Sequence, residues 1–247
     1  MKMKAKAAAL ILLAGAAVPY TAMAQSIAAP TLKEGDSWTY VDTVEKGPSG
    51  WAQTHDELTI QRVTDSHIYY ASKQTGSSQN PRETITGADW SRAREFDGND
   101  VVVNRPLSFP LTNGKHWDLQ YTEPHPNPRM SAVAWTTKYK VVGFEDVTVP
   151  AGTFHALKIE AEGDWRGQLA PMKTVVQAAQ VQPGATTMVT QARQAAPGTA
   201  VGHTYKAFWY VPEVGRWVKS VEEYYGSNGV RNERYTGELE SFKHASQ

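Results

Sequence analysis

Apolar and polar side chains alternate with a period of two through most of this chain. Between Phe154 and Ala161, the residues Leu157, Ile159 and Ala161 share one face, and His155, Lys158 and Glu160 are the polar members; the alternation slips near Phe154. A period of two marks a half-buried strand rather than a helix. The same pattern puts Trp38 and Tyr40 on one face with Asp36, and Leu58 with Ile60 inside Trp51 to Val63. Further strands are predicted over residues 67–71, 90–96, 101–103, 115–123, 132–144 and 230–243. Turn residues separate them: Lys46-Gly47-Pro48-Ser49-Gly50, Asp97-Gly98-Asn99 and Gly226-Ser227-Asn228-Gly229.

Two hairpins organise the rest. Val147 to Phe154 turns at Pro150, with Gly152 closing, because Pro presets φ at the first corner position. Trp209 to Arg216 turns at Pro212 and closes at Gly215, which can adopt the left-handed conformation. Beyond that turn, simple alternation places Trp217, Lys219, Val221, Glu223 and Tyr225 together, opposite Val218, Ser220, Glu222 and Tyr224.

Several stretches break the pattern. Residues 25–33 read as a loose lead-in, and residues 74–81 as a polar loop. Arg105 to Gly114 carries Leu107, Phe109 and Leu111 between Pro106 and Pro110, which favours an edge or crossing segment over a central strand. Pro124-His125-Pro126-Asn127-Pro128 reads as a stiff loop. Gly167 to Gly202 is rich in Ala, Gln, Thr, Pro and Gly and has no aromatic residue, so it buries little to offset its ordering entropy. It reads as a flexible insertion, with a transient helix over Met172 to Val181 as the alternative. The expected fold is all-β: a single antiparallel domain over residues 25–243, built as two packed sheets or one strongly curved sheet. Gly35-x-x-Trp38 recurs as Gly114-x-x-Trp117, which reads either as a duplication or as two strand starts.

The first 24 residues have the form of a secretory signal peptide. Lys2, Lys4 and Lys6 precede an apolar core from Ala7 to Val18, and Ala22-Met23-Ala24 places the cut between Ala24 and Gln25. The core is shorter than the ~20 residues a spanning helix needs, so the mature form carries no stable membrane span. Export places the protein in the periplasm or outside the cell. The whole chain has 25 basic and 25 acidic residues, so losing the three leader lysines leaves a slight acidic excess. That balance argues against a nucleic-acid surface. The chain has 0 cysteines, which removes thiol chemistry, disulfides and a cysteine-linked lipid anchor.

Val147-x-Val149-Pro150-Ala151-Gly152-Thr153-Phe154, Trp209-Tyr210-x-Pro212-x-Val214-Gly215, Gly35-Asp36-x-Trp38-x-Tyr40 and Pro110-Leu111-x-x-Gly114-Lys115-x-Trp117 together resemble a family of exported bacterial β-proteins of unknown function. The resemblance spans roughly residues 32–226, with one interruption. It implies an all-β envelope domain and brings no catalytic residues with it.

Candidate chemistry is sparse. The histidines at 55, 67, 116, 125, 155, 203 and 244 show no metal-ligand spacing; His55 and Glu57 share a face, read as a solvated pair. Phosphate-binding glycine loops and the Gly-x-Ser-x-Gly nucleophile motif are absent. No catalytic residue, metal or cofactor is assigned. Glu222 and Glu223 are adjacent, so they point to opposite faces, and Glu223 is placed with Trp217, Tyr225 and a salt-bridge partner in Lys219. Phe208, Trp209 and Tyr210 are consecutive and cannot all enter one core. Phe208, Trp209, Tyr210, Trp217, Glu223 and Tyr225 are therefore the candidate ligand-binding residues, for an apolar or glycan ligand or an envelope protein. Three functions stay open: non-enzymatic binding, a carbohydrate-active enzyme using strand carboxylates, and an assembly factor docking through residues 167–202. Oligomeric state is not legible.

Overall fold

The computed structural model describes residues 26–170, 173–182, 185–194 and 198–246; the leader and the cut at Ala24 and Gln25 lie outside them. The strands are β1 (Ser37–Lys46), β2 (Trp51–Val63), β3 (His67–Gln74), β4 (Arg82–Gly87), β5 (Arg92–Phe96), β6 (Asn99–Asn104) and β7 (His116–Asn127). They continue as β8 (Met130–Val149), β9 (Gly152–Leu169), β10 (Lys173–Gln182), β11 (Ala185–Gln194), β12 (Thr199–Val211), β13 (Arg216–Tyr225) and β14 (Arg231–Lys243). Ten of them form one antiparallel sheet in the order β4-β3-β2-β1-β14-β13-β12-β9-β8-β7. β5 and β6 pair as a separate hairpin, as do β10 and β11.

Of the two architectures open from the sequence, the molecule takes the single, strongly curved sheet. β8 reaches β13 and β14, three and four places along the same sheet. The Ala151 amide, at the corner between β8 and β9, donates to the Leu239 carbonyl on β14 at 2.9 Å. The inner face carries the core, including Trp38, Tyr40, Ile60, Ile68, Tyr139, Val141, Leu157, Ile159 and Phe208, all buried. Burying each such large apolar side chain contributes about 2–3 kcal/mol.

The two organising hairpins form as expected. Val149 pairs with Gly152 around Pro150 and Ala151, and Val211 pairs with Arg216 around a four-residue loop. Gly215 has φ +71, and a Cβ there would lie 2.9 Å from Leu32, so only glycine fits the corner. This corner is a meeting point of the chain. The Trp38 indole donates to the Val214 carbonyl at 2.9 Å, and the Trp90 indole to the Gly215 carbonyl at 3.1 Å.

Three expectations change, and one strand is added. The lead-in is docked: Ile27 and Leu32 are buried, and Ile27 exchanges both backbone hydrogen bonds with Leu111 at 2.8 Å. Pro124 to Asn127 continues edge strand β7, where the missing amide hydrogens need no partner on the outer side. The polar run Arg82–Gly87 is a strand, because it pairs along the other edge. Within residues 167–202, expected as a flexible insertion, β9 runs on to Leu169, β12 begins at Thr199, and the stretch offered as a transient helix contains strand β10 over Lys173–Gln182. Pairing with β11 overrides the helical preference of Ala and Gln there. Arg105 to Gly114 does cross the inner face. The Trp117 indole donates to the Arg105 carbonyl at 2.9 Å, and Leu107 and Leu111 are fully buried. Gly35 and Gly114 both have positive φ and both precede a strand.

Candidate functional site

The curvature forms a half-open cavity of about 660 Å³ on the inner face, walled by β1 to β6 and β12 to β14. Its apolar wall includes Leu58, Tyr70, Trp90, Phe208 and Trp217; its charged groups are Asp42, Asp56, Arg82, Arg92, Arg94, Arg216 and Glu222. The period of two explains how charges enter a core: Tyr40 and Asp42 are successive inward positions of β1, and Asp56 and Leu58 of β2.

The charges divide into two groups. In one, Lys206 on β12 stands opposite Glu222 on β13, with Nζ 3.0 Å from the carboxylate. Tyr224 donates its hydroxyl to Glu222 at 3.2 Å. Burial acts to raise the Glu222 carboxyl, but Lys206, Arg92 and the hydrogen bonds outweigh it and hold the group below the usual carboxylate range. Burial, and then the negative Glu222, push the Tyr224 hydroxyl up.

In the other group, Arg216 opens β13 and is 8% exposed. Its guanidinium carbon lies 4.2 Å from the Trp90 ring centroid, 4.3 Å from Trp217, 5.5 Å from Tyr40 and 5.9 Å from Tyr70. Arg216 Nε and Nη1 are buried and have no hydrogen-bond partner among the described residues. The Tyr40 hydroxyl beside it donates to the Trp217 carbonyl at 2.6 Å. Asp42 is pushed up to about 6, first by burial, then by the neighbouring Asp56, against the opposing pull of Arg216. Asp42 packs against Gly237, where a Cβ would stand 2.8 Å from the carboxylate oxygen. Thr54 donates to Asp56 at 2.6 Å.

The expected ligand-binding residues separate between the two faces. Phe208 and Trp217 line the cavity, edge to face at 5.4 Å. Tyr210 is inward but sealed under the crossing segment, 5.6 Å from Phe109. Trp209 is on the outer face, where its indole donates to Glu145 at 2.6 Å. Glu223 and Tyr225 are also outside: the Tyr225 hydroxyl donates to Glu223 at 2.6 Å, and Arg231 holds the same carboxylate at 3.0 Å. Placing Glu223 with Trp217 is therefore corrected. Trp209 pairs with Lys219 and Tyr210 with Trp217, leaving Val218 as an extra, unpaired residue. That bulge reverses the parity of β13, so Trp217 faces inward with Ser220 and Glu222. Lys219 accordingly pairs with Glu238 at 2.6 Å, not with Glu223. The pair expected to be solvated, His55 with Glu57, is not formed either; His55 meets Glu240 at 2.9 Å.

Arg216, Asp42 and Asp56 were not among the expected site residues. The available signal was a lone arginine between Gly215 and Trp217, in a run otherwise apolar from Phe208 to Val214 apart from Glu213.

No protein-family model and no curated protein matches this chain. Two solved structures are similar to it. One is a candidate lipoprotein from Parabacteroides distasonis, 15% identical, covering 89% of this chain and 100% of the other, with a TM-score of 0.45. The other is a candidate exported protein with a YmcC-like fold from Bacteroides fragilis, 16% identical over the same shares, with a TM-score of 0.37. Among the described residues, no helix is long and apolar enough to cross a membrane.

Proposed function

We propose that this protein is exported and binds a small ligand, without transforming it, in the cavity inside its curved sheet. The form of the leader supports export to the periplasm or beyond. The cavity supports binding. Its volume, about 660 Å³, falls in the range of ligand pockets, roughly 300–1,000 Å³. Its wall sets the aromatic rings of Trp90, Phe208 and Trp217 beside polar groups whose hydrogen bonding is incomplete. Such a wall suits a ligand with an apolar body and a polar head. Mass spectrometry of small molecules released from protein purified from the periplasm tests the reading. A stoichiometric compound retained by the native protein and absent from Trp217→Ala is expected. If neither a retained compound nor any added small molecule occupies the cavity, the reading fails.

One observation favours a second reading, a carbohydrate-active enzyme. Asp42 and Asp56 share the cavity, and Asp42 is pushed up to about 6, first by burial and then by Asp56, the direction a general acid requires. Glycoside hydrolysis uses such an acid and base pair. Turnover of nitrophenyl glycosides that disappears in Asp42→Asn would establish it, and absence of turnover across α- and β-linked hexosides would remove it.

A further inference from the structure

We propose that Arg216 is the anchor of the cavity and that the ligand is an anion, an amphiphile whose carboxylate or phosphate head docks on Arg216 while its apolar body lies against Trp90, Trp217 and Phe208. The inference rests on the binding reading above and specifies its ligand class.

A guanidinium carries five N–H donors in a planar fork and stays charged at any pH the protein meets. Removing it from water without partners is costly, because buried ionic groups are otherwise paired. Yet the structure sequesters this one and leaves Nε and Nη1 unpartnered. The four aromatic rings around it offset part of the cost through their negative faces. Rings do not replace in-plane hydrogen-bond acceptors, so these donors stay unsatisfied.

The carboxylates of the cavity do not take that role. No carboxylate among the described residues comes within 4.0 Å of Arg216, the separation at which the ion pairs of this structure are formed. Asp42, moreover, is held toward its neutral form by burial and by Asp56. The contrast with Lys206 is direct, since that equally buried cation has its own carboxylate at 3.0 Å. Arg82, Arg92 and Arg94 line the same cavity from β4 and β5, against the carboxylates Asp42, Asp56 and Glu222, and Arg94 is itself paired with Glu123 at 3.0 Å. An oxyanion entering this space would, with a small shift of the covering rings, reach these donors and form the charge-assisted hydrogen bonds that arginine makes with carboxylate and phosphate.

The test uses three probes that share one alkyl chain: octanoate, octyl phosphate and octan-1-ol. Binding to the mature protein is followed by calorimetry and by the Arg216 Nε–H resonance, assigned by its absence from Arg216→Lys. The expected result is that both anions bind at least ~10-fold more tightly than the alcohol, about 1.4 kcal/mol, and shift that resonance. In Arg216→Gln the advantage of the anions disappears. In Arg216→Lys, which keeps the charge and loses the fork, most of it disappears. Octyl phosphate favoured over octanoate identifies a phosphate head, and the reverse a carboxylate. Equal affinity of all three probes in the native protein overturns the anion anchor and leaves the binding reading intact. Binding of none overturns the anion anchor, and if the purified protein also retains no compound, the binding reading falls with it. Circular dichroism confirms that each variant is folded, and a variant that unfolds is replaced by Trp90→Leu, which dismantles the ring cage and must weaken the anions more than the alcohol.

Discussion

Two buried cations, Lys206 and Arg216, sit on neighbouring strands of one curved sheet and are treated differently. Each is 8% exposed. Lys206 has a carboxylate directly across the strand pair, and that carboxylate is held ionised by its surroundings. Arg216 has four rings around it and, among the described residues, no carboxylate on it, and the acid near it is pushed toward neutrality. A group needed only to stabilise the fold is expected to be satisfied by the fold, as Lys206 is. A group left unsatisfied in a preformed cavity is expected to have its partner outside the chain.

Removing each charge tests the contrast. Lys206→Met leaves Glu222 buried without its partner, and should cost the most, about 3–5 kcal/mol in chemical denaturation. A loss under 1 kcal/mol would mean the pair is not integral to the fold. Asp42→Asn should act in the opposite direction. Between 3.8 and about 6 the folded Asp42 holds a proton that the unfolded chain has released, so native stability falls as pH rises through that window. The substitution removes the penalty and should stabilise the protein at pH 7 by up to about 3 kcal/mol, with no gain below pH 3.8. Urea unfolding at both pH values measures it. Glu222 has the reverse sign: held below the usual range, it contributes stability at neutral pH that is lost as pH falls through its lowered pKa.

Arg216→Met should change stability by no more than about 1 kcal/mol, because the attraction of the rings and the desolvation cost of the guanidinium are comparable and vanish together. A loss as large as that of Lys206→Met would erase the distinction between the two cations. The smallest effect is expected at the solvent-facing pair His55 and Glu240, where His55→Gln should cost under about 0.5 kcal/mol.

The framework of this molecule was readable from alternation alone. Trp38 with Tyr40, Leu58 with Ile60, and Leu157 with Ile159 and Ala161 are inward pairs and runs, as the period of two requires. The Pro150 and Pro212 corners were readable because proline and glycine constrain the backbone locally. The site was less accessible for an equally local reason. One unpaired residue, Val218, reverses the parity of a strand, and no residue type announces a bulge. With the parity reversed, Glu222 rather than Glu223 joins Trp217, and the outer face receives Glu223 and Tyr225. Asp42 and Asp56 share a face only through the pairing of β1 with β2, a register that single-strand patterns do not contain. The β10 and β11 hairpin was missed because Lys173–Gln182 and Ala185–Gln194 are rich in Ala, Gln and Thr and lack a period of two.

The most direct test of the central claim is a crystal structure of the mature protein grown with octyl phosphate. Phosphate oxygens within hydrogen-bond distance of Arg216 Nε and Nη1, with the alkyl chain against Trp90 and Trp217, are the predicted result. A guanidinium already hydrogen-bonded to Asp42 or Asp56, with the phosphate elsewhere or absent, would contradict it.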